Sequence, residues 1–269
     1  AQLDVIGQLY TFPLYPPPKT ILNRNTTVTL NASVVDECGN YVENASVTWH
    51  EEDWDQIASG YNTTWNIPPS YPLGLHTFYV NATKEHYDTG SNSTKWYIYG
   101  WSSVEWYAPT PLSEHLAGLT VAVKCKVTDT NVGSAIPNYP VEFYKNGTKV
   151  TTALTDTKGI ATWQWDTTNE LPGWYNISCK IGNSSSLYYN ASRELDYAPL
   201  RIRRPLKIIA LYPTPFEVYR NDTFSPYNTT ITVQVKEAEV GAAYNATVRF
   251  YNQTFAPIGN CTTDTSGIC

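Results

Sequence analysis

The chemically informative pattern that recurs most in this sequence is Asn-x-Ser/Thr, in which the asparagine amide nitrogen can accept a glycan. Fifteen of the 21 asparagines open such a triplet without a central proline. Serine and threonine account for 51 of 269 residues, so chance placement would give about four triplets. The excess predicts an exported, densely N-glycosylated chain rather than an accident of composition. The acceptors are Asn25, Asn31, Asn44, Asn62, Asn81, Asn92, Asn146, Asn176, Asn183, Asn190, Asn221, Asn228, Asn245, Asn252 and Asn260.

The five cysteines suit an oxidising compartment and predict two disulfides. Cys125 and Cys179 lie 54 residues apart in two alternating segments, both at the parity of the apolar residues, which suits a bridge across a sandwich. Cys261 and Cys269 flank a predicted hairpin turn, so a cross-hairpin disulfide is expected. Cys38 is left over and is either a free thiol or paired with another chain. No C-x-x-C pair occurs, and we predict no metal site.

Composition and motifs argue against catalysis and nucleic-acid binding. The net charge is −6 with only 16% charged residues, whereas a nucleic-acid groove needs a clustered basic surface. The basic residues of segment 200–209 are interpreted as a solvated connector, and the acidic run 50–55 as a solvated turn rather than a calcium site. No catalytic fingerprint is present. We therefore predict no enzyme activity and no cofactor other than covalent glycans.

Two features concern export. No apolar run approaches 18 residues, which predicts no membrane span in this segment. The sequence begins with alanine and contains no methionine, which suggests removal of a secretory signal peptide. The expected location is extracellular, at the cell surface.

The elements that must position these residues are β-strands in a repeat of about 100 residues. Equivalent valines at 47, 141 and 248 mark the repeat. Within each repeat apolar residues alternate with polar ones, turn signals separate the runs, and no helical period is sustained. The fold class predicted is all-β, with tandem immunoglobulin-like β-sandwiches at residues 1–100, 101–204 and 205–269, the third incomplete.

Alternation also predicts where glycans would point. Asn31, Asn81 and Asn176 have the parity opposite to the inward apolar residues, so they face solvent. Asn146 and Asn252 fall in turns. A bulky hydrophilic adduct at these positions leaves the core undisturbed.

The second repeat resembles the prokaryotic immunoglobulin-like repeats of surface proteins, including the intimin and invasin type. Those repeats combine a P-V-x-F strand, a T-D-x-x-G-x-A hairpin and a P-G-x-Y-x-hydrophobic strand. The third repeat keeps part of the pattern at Val248, Phe250, Thr263, Asp264 and Gly267. In the second repeat the matches are Pro140, Val141, Phe143, Thr155, Asp156, Gly159, Ala161, Pro172, Gly173, Tyr175 and Ile177.

Dense sequons beside such repeats resemble archaeal surface-layer and extracellular-filament proteins. The resemblance implies a structural subunit of a surface layer, filament or stalk that self-associates into a polymer or lattice. Two alternatives remain open: an adhesin or receptor ectodomain, and the carbohydrate-binding portion of an exported hydrolase. The aromatic run 95–107 is interpreted as inter-domain packing rather than a platform for sugar rings.

The third repeat lacks its later strands. It has 21 residues after Val248, whereas the first repeat uses 53 residues from Val47 to Gly100. A sandwich without those strands exposes its core and an open edge. Either the chain continues beyond the given segment, or a neighbouring subunit inserts a strand.

Overall fold

The computed structural model of the chain describes residues 6–217, 229–237 and 241–269. Strands joined by turns make up this part of the chain, and no helix occurs within it. The cause is visible in the alternation: in the strand that begins at Thr27, the inward side chains Leu30, Ala32 and Val34 are buried, and their neighbours are not. The prediction of an all-β chain of tandem immunoglobulin-like sandwiches is confirmed.

The first sandwich consists of two sheets. One has the strand order β6-β3-β1-β8, and the other has β5-β4-β7-β9 with β2 added in parallel to β9. The strands are β1 (Gly7–Tyr15), β2 (Ile21–Asn23), β3 (Thr27–Asp36), β4 (Ser46–His50), β5 (Gln56–Ser59), β6 (Asn62–Asn66), β7 (Gly74–Thr83), β8 (Tyr87–Asp88) and β9 (Gly90–Ala108).

Aromatic rings fill the core of the first sandwich. Trp49 and Trp96 are fully buried and stack with ring centroids 6.2 Å apart, and Phe78 packs on Trp96 at 4.6 Å. Each such ring removes about 150–250 Å² from water. Ala32 and Val80 occupy the positions of the second sandwich's cysteines and are buried. Neither disulfide lies in this sandwich, and its buried side chains pack where the second sandwich has its cysteines.

The second sandwich continues the sheet of the first. Its strands β14, β11 and β9 adjoin in one sheet, with β16 parallel to β9, and the second sheet has the order β10-β17-β15-β12-β13. A disulfide joins Cys125 of β11 to Cys179 of β15, and both are buried. The added strands are β10 (Glu114–Leu116), β11 (Thr120–Asp129), β12 (Pro140–Lys145), β13 (Thr148–Leu154), β14 (Ile160–Asp166), β15 (Gly173–Lys180), β16 (Tyr189–Arg193) and β17 (Leu195–Arg203).

One strand serves both of these sandwiches. The 19-residue β9 pairs with β7 from Gly90 to Ile98 and with β11 from Ser102 to Ala108. It runs through the predicted boundary at residue 100 without a break, because no proline or turn interrupts it there. The boundaries near 100 and 204 stay predictions.

The chain divides into two compact units, and each is made of several segments. The first unit consists of Ala1–Pro111, Ala122–Gln164 and Asn176–Ala198. The second consists of Leu112–Val121, Trp165–Tyr175 and Pro199–Cys269. These two compact units therefore do not correspond to the sequence repeat of about 100 residues.

The third repeat has two small sheets, β18-β19-β20 and β21-β22. Its core consists of Val233, Val235, Ala243 and Val248. A bridge from Ile268 to Gln234 adds the last described residues to the first of these sheets. The strands are β18 (Leu206–Thr214), β19 (Thr230–Glu237), β20 (Gly241–Ala242), β21 (Thr247–Tyr251) and β22 (Pro257–Thr262).

The predicted T-D-x-x-G hairpin is wrong in both repeats that carry the motif. In the second sandwich the turn connects β13 in one sheet to β14 in the other. In the third repeat Cys261 lies in β22, whereas Cys269 exchanges backbone hydrogen bonds with Val233 of β19. The Cys261–Cys269 disulfide therefore links two sheets rather than two strands of one hairpin. Local sequence identifies the turn, but the sheet joined by the second strand depends on distant residues.

Candidate functional site

The sequon asparagines lie on solvent-facing surfaces and turns. Asn221 and Asn228 fall outside the described residues, and none of the other thirteen is in the buried class. Asn31, Asn81 and Asn190 are partly exposed. The exposed acceptors are Asn25, Asn44, Asn62, Asn92, Asn146, Asn176, Asn183, Asn245, Asn252 and Asn260.

Several of these asparagines also have a conformational role. Asn25, Asn44, Asn146 and Asn245 have φ between 49° and 59°, a left-handed conformation that asparagine tolerates better than most residues. Turn geometry thus accounts for the asparagine at four positions. It does not account for the serine or threonine two residues later, which is exposed in each case.

Hydrogen bonds divide the acceptors by which amide atom they use. Asn146 accepts a hydrogen bond from Asn176 N at 2.8 Å through Oδ1, and Asn252 Oδ1 accepts one from Ala256 N at 2.8 Å. By contrast, Nδ2 of Asn92 donates to Thr11 O and Nδ2 of Asn190 donates to Asn23 Oδ1, both at 2.8 Å. The nitrogen that a glycan needs is therefore engaged at these two positions.

Two sequons, those of Asn81 and Asn92, contain a buried polar atom without a hydrogen-bond partner among the described residues. The hydroxyl of Thr94, which completes the triplet of Asn92, is buried without a hydrogen-bond partner among the described residues. Asn81 Oδ1 is in the same situation, although the residue as a whole is partly exposed. Accessibility therefore differs among triplets that look alike in sequence.

The junction between the first two sandwiches contains a buried ion pair. Arg24 Nη1 lies 2.9 Å from Asp129 Oδ2, with side-chain exposures of 9% and 1%. Arg24 Nε also donates to Tyr71 O, and the Tyr189 hydroxyl donates to Asp129 Oδ2 at 2.9 Å. Burial, followed by this carboxylate, raises the pKa of Tyr189 well above its usual value. The hydroxyl therefore stays a donor at neutral pH.

Aromatic rings of the two sandwiches also contact each other at this junction. Tyr188 stacks on Tyr97 with centroids 6.2 Å apart and contacts Tyr99 edge-on at 5.6 Å. The predicted packing role of the aromatic run 95–107 agrees with these contacts. Charge spacing in the sequence does not reveal the pair itself, because Arg24 and Asp129 are 105 residues apart.

The basic segment after residue 200 is not a solvated connector, contrary to the prediction. Arg201 and Arg203 lie on β17, and each forms an ion pair with Glu114. Arg204 is only 7% exposed, with Nη1 3.6 Å from Glu237 Oε2. Its Nη2 donates to Glu170 O at 2.7 Å. The partners of these three arginines are the carboxylates of Glu114 and Glu237 and the carbonyl of Glu170, which are distant in sequence and cannot be inferred from the segment alone.

The acidic run at residues 50–55 makes structural contacts. Glu51 accepts a hydrogen bond from the Tyr71 hydroxyl, and Glu52 accepts one from Thr77 N at 2.7 Å. The contacts with Thr77 hold the pKa of Glu52 below its usual range. In the part of the chain that is described, no group of three metal-ligating side chains is assembled. Trp54, 57% exposed, stacks on Tyr79 at 4.9 Å beside this run.

A groove with both apolar and polar lining opens on the third repeat. It has a volume of about 260 Å³ and is lined by residues of β18, β19 and β21, with Leu206, Ile208 and Val248 among them. Val104 and Ile208 occupy equivalent positions opposite Val127 and Val235, yet Val104 is fully buried and Ile208 is 56% exposed. β12 of the second sandwich pairs with both β13 and β15, whereas β21 pairs only with β22 among the described residues, so β15 has no counterpart there.

Cys38 is a free, exposed thiol, whereas the other four cysteines form the two disulfides. Its backbone N donates to Asp36 Oδ1 at 2.9 Å in the turn after β3. Separately, the described residues contain no helix with the length and apolarity needed to cross a bilayer.

No family model and no curated protein matches the sequence. Among solved structures, titin domains I67–I69 match with a TM-score of 0.47 at 10% identity, over 94% of this chain and 82% of that one. A tetra-tandem repeat from the extending region of a large adhesion protein matches with 0.41 at 13% identity, over 98% and 64%. Adhesin InvE of Yersinia pseudotuberculosis matches with 0.38 at 12% identity, over 72% and 58%. Similarity this low carries no information on function.

Proposed function

We propose that this chain is a non-enzymatic, exported, N-glycosylated structural protein of the cell surface that self-associates into a filament, stalk or surface layer. The observation that carries the proposal is the position of the sequons. Every described acceptor lies outside the buried class, while the alternating apolar residues pack inside the sandwiches. A glycan coat on this surface would shield strand edges from proteases and from unwanted pairing.

The modification has simple chemistry. An activated glycosyl phosphate would be attacked by Asn Nδ2; the bond from sugar C1 to oxygen breaks, the phosphate leaves, and Nδ2 loses a proton. The product is a neutral amide that keeps one N–H. Exposed acceptors such as Asn44 and Asn245 leave room for this adduct. Asn92 and Asn190 each donate one hydrogen bond through Nδ2, so the glycan can replace only the other N–H without breaking that bond.

The test is intact-mass measurement and glycopeptide mapping of protein purified from its native source, followed by electron microscopy of the same material. We expect glycans on the other exposed acceptors, low occupancy at Asn92 and Asn190, where Nδ2 already donates a hydrogen bond, and an ordered polymer. A mass equal to that of the bare polypeptide would end the glycoprotein proposal.

An adhesin is the second candidate, and one observation favours it. Trp54 has φ of 66° and presents an exposed ring stacked on Tyr79. Aromatic faces of this kind suit contact with sugar rings or cations. Saturable binding of monomeric protein to a glycan array, abolished by Trp54→Ala, would support the adhesin over the structural proposal.

A further inference from the structure

Arg24 binds at one end of the second sandwich. Three residues at this end, Gly100, Asp129 and Tyr189, are here called the arginine socket. Tyr189 pairs with Gly100, and Gly100 N donates to Tyr188 O at 2.9 Å. A Cβ on Gly100 would lie 2.7 Å from the Tyr189 ring, so glycine lets the ring lie against the backbone. Asp129 ends β11 opposite Ser102, two residues after Gly100.

The first sandwich has the same construction at its own corresponding end. Gly7 pairs with Tyr87, Gly7 N donates to His86 O at 2.9 Å, and a Cβ on Gly7 would lie 2.7 Å from the Tyr87 ring. Asp36 ends β3 opposite Leu9, two residues after Gly7.

The backbone repeats as well. His86 has φ of 69° and Tyr188 has φ of 57°, both in the left-handed region that non-glycine residues rarely adopt. The shared unusual conformation, together with the shared glycine, tyrosine and aspartate, makes Gly7, Asp36 and Tyr87 the counterpart of the arginine socket. One contact differs, because the Tyr189 hydroxyl donates to Asp129 Oδ2 whereas Asp36 Oδ2 accepts from Asn40 within the described residues.

The carboxylate position recurs once more, as Glu237, and this carboxylate is again paired with an arginine. Glu237 ends β19 opposite Leu206, as Asp129 does opposite Ser102, and it pairs with Arg204. Two of the three equivalent carboxylates therefore hold a guanidinium from the residues that precede their repeat. Within residues 6–217, 229–237 and 241–269, no arginine forms an ion pair with Asp36.

Asp36 is prepared for such a partner. Its Oδ1 accepts hydrogen bonds from Cys38 N and Asn40 N, as Asp129 Oδ1 accepts one from Asn131 N. Its Oδ2 contacts only the exposed Asn40 amide at 3.1 Å, which an incoming guanidinium can displace. Backbone hydrogen bonding, first from Asn40, keeps the pKa of Asp36 below its usual value, so the group is ionised at neutral pH.

We propose that the socket of Gly7, Asp36 and Tyr87 receives an arginine-bearing end of a second copy of this chain, in an end-to-end contact that repeats the junction between the first two sandwiches. Continuity with that junction is the argument for another sandwich of the same type as occupant. Charge agrees, since the exposed carboxylates of Glu37, Glu85 and Asp88 beside the socket outnumber its neighbouring cation, Lys84, whose Nζ lies 6.0 Å from the centroid of the Tyr87 ring. This inference rests on the self-association in the proposed function and assigns a surface to it.

The test is sedimentation velocity of the full chain over a wide concentration range at low salt. We expect wild-type protein to form elongated oligomers, and Asp36→Arg to raise the dissociation constant by about tenfold or more. Asp36→Asn keeps an oxygen for the Cys38 and Asn40 N–H groups, so it removes the charge without removing the turn. Glu105→Arg, on an exposed position of β9, is the matched charge-reversal control and should leave association unchanged.

The outcomes separate the two proposals. Oligomers that form equally well in Asp36→Arg overturn the socket and leave self-association standing. A wild-type chain that stays monomeric overturns both. Equal loss in Asp36→Arg and Glu105→Arg indicates a general charge effect and also overturns the socket. Circular dichroism of each variant establishes that it is folded.

Discussion

At the scale of single residues, the T-D-x-x-G segments show how sequence specifies a turn between sheets. The Thr155 hydroxyl donates to Ile136 O and accepts from Tyr139 N, and Thr263 makes the equivalent contacts with Ala243 and Ala246. Asp156 Oδ1 accepts from Lys158 N and Ile160 N. The threonine and aspartate side chains of the motif thus satisfy backbone groups that the change of sheet would otherwise leave unpaired.

Gly159 and Gly133 give a matched test of what glycine contributes to these turns. Their φ angles are 74° and 73°, but a Cβ on Gly159 would lie 2.5 Å from Val127 O, whereas none of the described atoms lies within 4 Å of a Cβ on Gly133. We expect Gly133→Ala to cost about 1 kcal/mol through left-handed strain, and Gly159→Ala about 2–4 kcal/mol through strain plus the steric clash. Urea unfolding measures both. Equal costs would mean that the close approach to Val127 is unimportant.

At the scale of strands, the alternation of apolar and polar residues correctly predicted which side chains point into the core and which point to solvent. It placed Cys125 and Cys179 at inward parity, and it placed Asn31 and Asn176 facing outward. It did not predict which sheet a strand joins, because β13 and β14 read as an ordinary hairpin until their distant partners are known. Nor did it predict that β9 crosses the boundary at residue 100, since a strand that changes partners has the same local pattern as one that does not.

The two disulfides close loops of different length and should contribute differently. The sequence separations are 54 and 8 residues, for which chain entropy gives about 4 and about 2.5 kcal/mol. The equivalent positions of the other repeats show which residues can replace these cysteines in the core of a sandwich. Cys125→Ala with Cys179→Val copies Ala32 and Val80 of the first sandwich, and Cys261→Ala with Cys269→Ala copies Ala153 and Ala161 of the second.

We expect the first double variant to lower the free energy of unfolding more than the second, as measured by urea unfolding of the oxidised proteins. The reduced wild-type chain is the control for both. If both double variants lost the same free energy of unfolding, the result would contradict a chain-entropy origin of the stabilisation and indicate strain or packing instead.

At the scale of the whole molecule, the first two sandwiches are joined by more than a linker. Strand β9 continues through both, Arg24 and Asp129 form a buried pair, and Asn190 donates to Asn23. A chain built to transmit force or to set a fixed spacing benefits from such a junction, because a flexible linker would absorb the extension first. The sequence indicates the aromatic part of this junction, but the pairing of Arg24 with Asp129 needs the fold.

Arg24→Met tests the junction in the intact chain. It leaves Asp129 buried without its cation, so we expect a loss of about 3–5 kcal/mol in the free energy of unfolding. Adding Asp129→Asn removes the buried unpaired charge, and its amide oxygen can still accept a hydrogen bond from the Tyr189 hydroxyl or from Asn131 N. The double variant should therefore recover much of the lost free energy of unfolding. Lys149→Met removes the cation of the exposed Lys149–Glu142 pair and should cost less than about 1 kcal/mol.

Distances report on the junction independently of stability. The parent chain for this measurement carries Cys38→Ser, which removes the free thiol, and Thr64→Cys and Thr157→Cys, which place one spin label on an exposed position of each sandwich. We expect a narrow distribution of the distance between the two labels in this parent chain. Arg24→Met should broaden it under conditions where the protein remains folded, because the ion pair no longer fixes the angle between the sandwiches. A distribution that stays equally narrow would mean that continuity of β9 alone holds the junction, and that Arg24 contributes to stability but not to stiffness.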